Sequence, residues 1–120
     1  MPDAHQKRAV TLLKAVRARE AVERAIQNMP TNPYEGWTRA QLISKREEAI
    51  EWSRRTGKED SLSLAWVEHR RAAIAEGEGD RFSATVRLGD AIAYFRRAAK
   101  TSEEAAKALD AAKAQFAQLA

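Results

Sequence analysis

The sequence predicts an all-α fold, a single-domain antiparallel bundle of four to five helices spanning residues 1–120. Three observations predict it. Apolar residues recur at every third or fourth position along most of the chain. Ser, Thr or Asp stands ahead of these stretches and Gly or Pro behind most of them. The length of 120 residues, with 44% hydrophobic and 32% charged, suits one domain that buries roughly two-thirds of its unfolded surface.

Asp3 is the cap of a first helix running to about Asn28, with Gln6 in place to complete a capping box. At 100° per residue, Leu12, Ala15, Val16, Val22, Ile26 and Met29 share one side, while Lys14, Arg17, Glu20, Arg24 and Asn28 share the other. Glu20 and Arg24 stand four apart in the favourable order for a surface pair. Two prolines within residues 30–36 remove backbone donors and end this helix. Thr38 and Gln41 then match a capping box, with Trp37 and Leu42 at the positions of a hydrophobic staple. The second helix carries Leu42, Ile43, Ala49 and Ile50 and stops at Gly57.

Asp60 or Ser61 opens a third helix bearing Leu62, Trp66, Val67, Ala73 and Ile74, and Gly77 and Gly79 close it. Asp80 caps a fourth, the most apolar, with Ala84, Leu88, Ala91, Ile92, Phe95, Ala98 and Ala99 on one arc and Phe82, Val86, Gly89 and Ala93 on a second. Such a helix is expected at the centre of the bundle, with the others around it. Thr101 and Glu104 suggest a last capping box before a helix to Leu119. There Ala105, Leu109, Ala112, Phe116 and Leu119 recur at four, three, four, three, a narrow seam of the coiled-coil kind.

Composition excludes several chemistries. With no Cys and two His, thiolate metal sites, disulfides and a cysteine nucleophile are absent. No stretch forms a Gly-rich phosphate loop, and the six serines lack a paired base. No cofactor, metal or catalytic residue is expected. His69 beside Glu68 suggests a boundary histidine paired to a carboxylate. No apolar run is long enough to span a membrane and the start lacks an apolar leader core, so a cytoplasmic location with no membrane contact is expected. Size and composition suit a bacterial or phage protein.

Charges are uneven. Residues 1–28 and 38–58 each carry six basic and three acidic groups, residues 59–80 carry two and six, and residues 81–100 carry five and one. An acidic third helix thus lies between basic neighbours. Arg46 projects from the middle of an apolar stripe, Arg19 and Glu23 interrupt another, and Arg70 divides a third. A buried unpaired charge costs several kcal/mol, so each must snorkel, pair, or face a partner. Arg19 and Glu23 are expected to satisfy each other, and Asp90 to be held by Arg87 or Arg97.

Two functional expectations follow. One is a non-enzymatic accessory, regulatory or inhibitory protein that contacts a protein partner or forms a homo-oligomer through Tyr34, Trp37, Arg46, Leu109 and Phe116. The other is nucleic-acid binding through Lys14, Arg17, Arg24, Arg87 and Arg97, favoured by 14 Arg to 7 Lys but tempered by a net charge of only +4. A helix-turn-helix with residues 61–71 as recognition helix fits poorly, because residues 59–80 are acidic. An enzyme or small-ligand site near His69, Asp90 and Tyr94 is a third, weaker alternative.

Overall fold

Local caps set the boundaries of five helices. The computed structural model describes residues 3–120, with α1 (Ala4–Gln27), α2 (Arg39–Thr56), α3 (Ser61–Gly77), α4 (Arg81–Ala98) and α5 (Glu103–Leu119) and no strand among the described residues. Both capping boxes expected at Asp3 and Thr38 form: the Gln6 amide donates to Asp3 Oδ1 at 2.9 Å, and the Thr38 amide donates to Gln41 Oε1 at 2.9 Å. Asp60 and Asp80 accept from the amides of Ser63 and Ser83 at 3.3 and 3.0 Å. Gly57 and Gly79 take φ of +70° and +78°, a left-handed turn that only glycine adopts without strain.

One cap falls elsewhere than the sequence suggests. Ser102, not Thr101, opens α5, and its Oγ accepts from the Ala105 amide at 3.1 Å. Residues 99–101 form a turn, which separates α4 from α5.

The helices stack in series rather than around one centre. α3 packs on α4 and α4 on α5, with α2 laid against α3 and α1 against α5. α4 is therefore central in that order, but α1 and α2 do not surround it. Trp66 and Phe95 meet edge to face at 4.9 Å in the core formed by α3, α4 and α5. Ala105, Ala108 and Ala112 are fully enclosed there, and their small side chains let the backbones of α4 and α5 approach closely.

α5 is covered on two opposite sides. Phe116, Leu109 and Leu119 pack on the core, whereas Lys107, Asp110, Ala114, Ala117 and Gln118 border α1. At 100° per residue these two groups lie roughly 180° apart. Along α1, Ala25 and Asn28 meet Lys107 and Asp110, while Ala18 and Val22 meet Ala114 and Ala117, so the two helices run antiparallel. The first four turns of α1 consequently pass beyond the last residues of α5.

That overhang sets the shape. The molecule measures 64 × 33 × 20 Å with a Cα radius of gyration of 17.6 Å, against about 14 Å for a compact chain of this length. α1 has no buried residue, and every residue from 3 to 21 is exposed. The apolar side of α1 is covered only toward its C-terminal end. Val22, Ile26 and Met29 are half-buried, but Leu12 and Val16 are 67% and 46% exposed.

The relocated cap is testable by urea unfolding. Ser102→Ala should cost about 1 kcal/mol, as for other lost caps, while Thr101→Ala should leave stability unchanged. The opposite ranking would put the helix start at Thr101.

Candidate functional site

The charge that organises the interior is Glu68, 2% exposed on α3. Arg71, one turn on, donates from Nη1 to Oε1 at 2.9 Å. Arg46 of α2 brings Nε to 3.6 Å from the same oxygen, and Arg87 of α4 brings Nη1 to 3.6 Å from Oε2. Three helices thus converge on one carboxylate, whose Oε2 accepts no hydrogen bond among the described residues. Arg46 combines two of its expected fates. Its guanidinium pairs inward while the side chain stays 42% exposed. A niche of about 130 Å³ opens alongside, walled by Arg39, Arg71, Glu78, Asp80, Ser83 and Arg87. Arg39 is bound to Glu78 there, Arg71 and Arg87 contact Glu68, and the Asp80 carboxylate also stands on the wall.

The loop after α1 is tied down by Asn32. Its Nδ2 donates to the Trp66 carbonyl at 3.0 Å and stands 3.4 Å from His69 Nδ1, while Oδ1 accepts from the Tyr34 amide at 2.9 Å. Tyr34 and Trp37 stack edge to face at 4.7 Å, and Tyr34 packs on the core. Arg70 reaches the Trp37 carbonyl at 3.4 Å. The two loop aromatics are therefore half-buried against the bundle.

His69 does not pair with a carboxylate. Its Nε2 meets Gln115 Oε1 at 2.9 Å and its Nδ1 faces the Asn32 amide, an arrangement suited to the neutral ring protonated on Nε2. Burial holds its pKa below the ordinary histidine value, with the Gln115 contact opposing. A cleft of about 270 Å³ beside it is lined by Met29, Asn32, Glu35, Trp66 and Arg70, with neither Asp90 nor Tyr94 on its wall. Among the described residues no cluster of His, Asp and Glu could hold a metal, and no helix is long and apolar enough to cross a membrane.

The basic residues divide into two groups. Arg87 also stands 4.0 Å from Asp90, and Arg97 grips Glu59 through Nε at 2.7 Å and Nη2 at 3.3 Å while lying over Tyr94. The Arg97 bonds hold the Glu59 carboxyl below its ordinary pKa. Both arginines are thus engaged within the fold. Lys14, Arg17 and Arg24 on α1 are exposed, and among the described residues no ion pair engages them, nor are Glu20 with Arg24 or Arg19 with Glu23 joined. Between residues 4 and 19 lie five basic groups and no acid. α3 lies between α2 and α4, with Leu64, Ala65, Trp66, Val67 and Glu68 buried.

Leu109 and Phe116, the two seam residues considered for association, turn toward the core; a Cβ at Gly89 would lie 3.8 Å from Phe116. The exposed apolar side chains gather elsewhere. Val10, Leu12, Leu13 and Val16 on the α1 overhang are 46–67% exposed, and Phe82 and Val86 on α4 are 80% and 45% exposed. Sequence reasoning passed over Glu68 and Asn32. The signal for Glu68 was a lone acid inside the apolar run from Leu62 to Ile74; for Asn32, its place between two prolines.

Two outcomes follow from these contacts. Glu68→Gln leaves three guanidinium groups converging without a counter-charge and should cost about 3 kcal/mol, whereas Arg46→Met, at a screened and half-exposed position, should cost under about 1 kcal/mol. Equal losses in urea unfolding would contradict the hub. Because the folded His69 has the lower pKa, the unfolded chain binds more protons as pH falls below about 6.5. Stability is then fully present above that value and declines below it, by no more than about 1.4 kcal/mol per pH unit. Unfolding measured at pH 7.5 and pH 5.5 should show the loss, and His69→Gln should remove it. Against protein-family models, curated proteins and solved structures, the chain finds no match.

Proposed function

We propose that this chain is a non-enzymatic helical accessory or regulatory protein that acts through protein contacts, and that the overhanging half of α1 is its contact surface. The observation that carries this is the exposure of Leu12, Leu13 and Val16 on a helix segment in which every residue is exposed. These three aliphatic side chains fall within about 100° of arc on one protruding rod and form a patch of the kind that marks interaction sites. Short helices without tertiary support are marginal in water, so a partner that covers this face also stabilises the helix itself. The proposal moves the contact from Leu109 and Phe116, which serve the core, to the opposite end of the chain.

Nucleic-acid binding is the second reading, supported by the five basic groups and absent acids of residues 4–19. It would rest on Lys14, Arg17 and Arg24, since Arg87 and Arg97 are held by Glu68 and Glu59. It leaves the aliphatic patch without a role.

A triple variant, Leu12→Ser with Leu13→Ser and Val16→Ser, separates the two. Its melting temperature should stay close to the parent's because all three side chains are exposed. A photo-crosslinking residue at Ala9, which is exposed between Val16 and Leu13 on the wheel, should capture a defined protein in cells, and the triple variant should lose that product. A complex with duplex or single-stranded nucleic acid at ~50 mM salt that survives the triple variant and vanishes on Lys14→Glu with Arg17→Glu would contradict protein contact and favour the second reading.

A further inference from the structure

The face of α1 that docks on α5 and the face that carries the exposed aliphatic residues are different faces. Ala18, Arg19, Val22, Glu23 and Ala25 line the cleft with α5, while Ala9, Leu12 and Val16 lie roughly 140° around the helix from Ala18, Val22 and Ala25. A second helix can therefore lie on the first turns of α1 clear of α5, with Arg19 and Glu23 exposed at the edge of that cleft and still within its reach. Positions 5, 9, 12, 16, 19 and 23 recur at four, three, four, three, four, the spacing of a coiled-coil seam, and all six are exposed. They read His5, Ala9, Leu12, Val16, Arg19 and Glu23: apolar in the middle, polar at the ends.

We infer that two copies of this chain pair antiparallel through α1, about a two-fold axis near Lys14. This deepens the protein-contact reading, on which it rests, by naming the partner as a second copy. With the axis there, Leu12 packs on the partner's Val16, and His5 meets the partner's Glu23. Arg19 meets the partner's Ala9, a side chain small enough for the arginine stem to lie across it and carry its charge to water. The four charges bordering the seam, Arg8, Arg19, Glu20 and Glu23, sum to zero. Antiparallel order brings Arg8 and His5 to the partner's acidic end, whereas parallel order would set every charge against its own kind. Lys7, Lys14 and Arg17 project away from the seam, so the excess positive charge stays out of the contact.

Other occupants fit less well. Nucleic acid uses the cations and leaves Leu12 and Val16 unpaired. A lipid surface needs a broader apolar face, usually with aromatic residues, and this stripe has none. An antiparallel contact over residues 5–23 is about 28 Å long and buries on the order of 1,000 Å² in total, at the low end of specific interfaces. The dimer is accordingly weak and concentration-dependent.

Sedimentation equilibrium from micromolar to near-millimolar protein tests it. The average mass should climb from 13.4 kDa toward twice that value, with helix content by circular dichroism rising in parallel. Leu12→Glu with Val16→Glu should hold the mass at the monomer value without changing the melting temperature at low concentration. Glu23→Arg should weaken pairing about five-fold, and adding Arg8→Glu should recover it, because the two sites exchange charge across the axis. The chain has no native Cys, so Leu12→Cys and Val16→Cys chains can be mixed under oxidation; the mixed disulfide should exceed either self-pair. A chain monomeric at every concentration, a dimer that survives Leu12→Glu with Val16→Glu, or dominant self-pairing of Leu12→Cys would each overturn the inference. The first outcome leaves the protein-contact reading to be judged by whether a probe at Ala9 crosslinks to another protein in cells.

Discussion

A single buried carboxylate fixes how α2, α3 and α4 meet. Glu68 is enclosed on α3, and Arg46, Arg71 and Arg87 reach it from three helices. Taking that charge out of water is costly, and the cost is offset only when the arginines hold their places. Sliding α2 along α3 by one turn would carry Arg46 more than 5 Å from its partner. The cluster therefore sets register, which an interface of Leu and Ala alone specifies loosely. It also accounts for the alternation of charge along the chain, with an acidic segment placed between two basic ones.

The other end of the molecule follows from a mismatch of lengths. α5 has 17 residues and α1 has 24, and they dock antiparallel with the loop end of α1 beside the start of α5. α5 is already flanked by the core on one side and α1 on the other, and it ends before α1 does. The early turns of α1 have nothing to lie against. A helix in that position keeps its shape through its Asp3–Gln6 cap and good helix-forming residues, and its apolar stripe stays in water until something covers it. The elongated outline follows from that overhang, and the aliphatic patch stays exposed because Leu12 and Val16 also lie on a different face from the one that docks on α5.

The fold was legible in the sequence because its signals are local. Asp3, Thr38, Asp60, Asp80 and the left-handed Gly57 act over three or four residues, and each boundary follows from them. Ser102 was missed because Thr101 beside it offers the same hydroxyl, and only the backbone geometry decides which of the two accepts. What periodicity could not supply is which helix covers which face. Leu12 and Val22 both belong to the apolar half of the helical wheel, yet one meets water and the other α5, because Val22 lies on the arc that docks on α5 and Leu12 lies about 80° around from it on a turn that α5 does not reach. For the same reason the seam of Leu109 and Phe116 suggested association, while its spacing is equally that of an internal core helix. His69 drew an expected carboxylate from its neighbour Glu68, but adjacent residues on a helix face apart, and its partners, Asn32 and Gln115, come from distant segments.

Everything proposed for this chain depends on α1 standing clear of the bundle. Small-angle X-ray scattering extrapolated to zero concentration reads that directly. The account predicts a radius of gyration near 17.6 Å and a longest dimension near 64 Å for the single chain. A value near 14 Å, as expected for a compact chain of this length, would show α1 folded back on the bundle and leave no free face to pair.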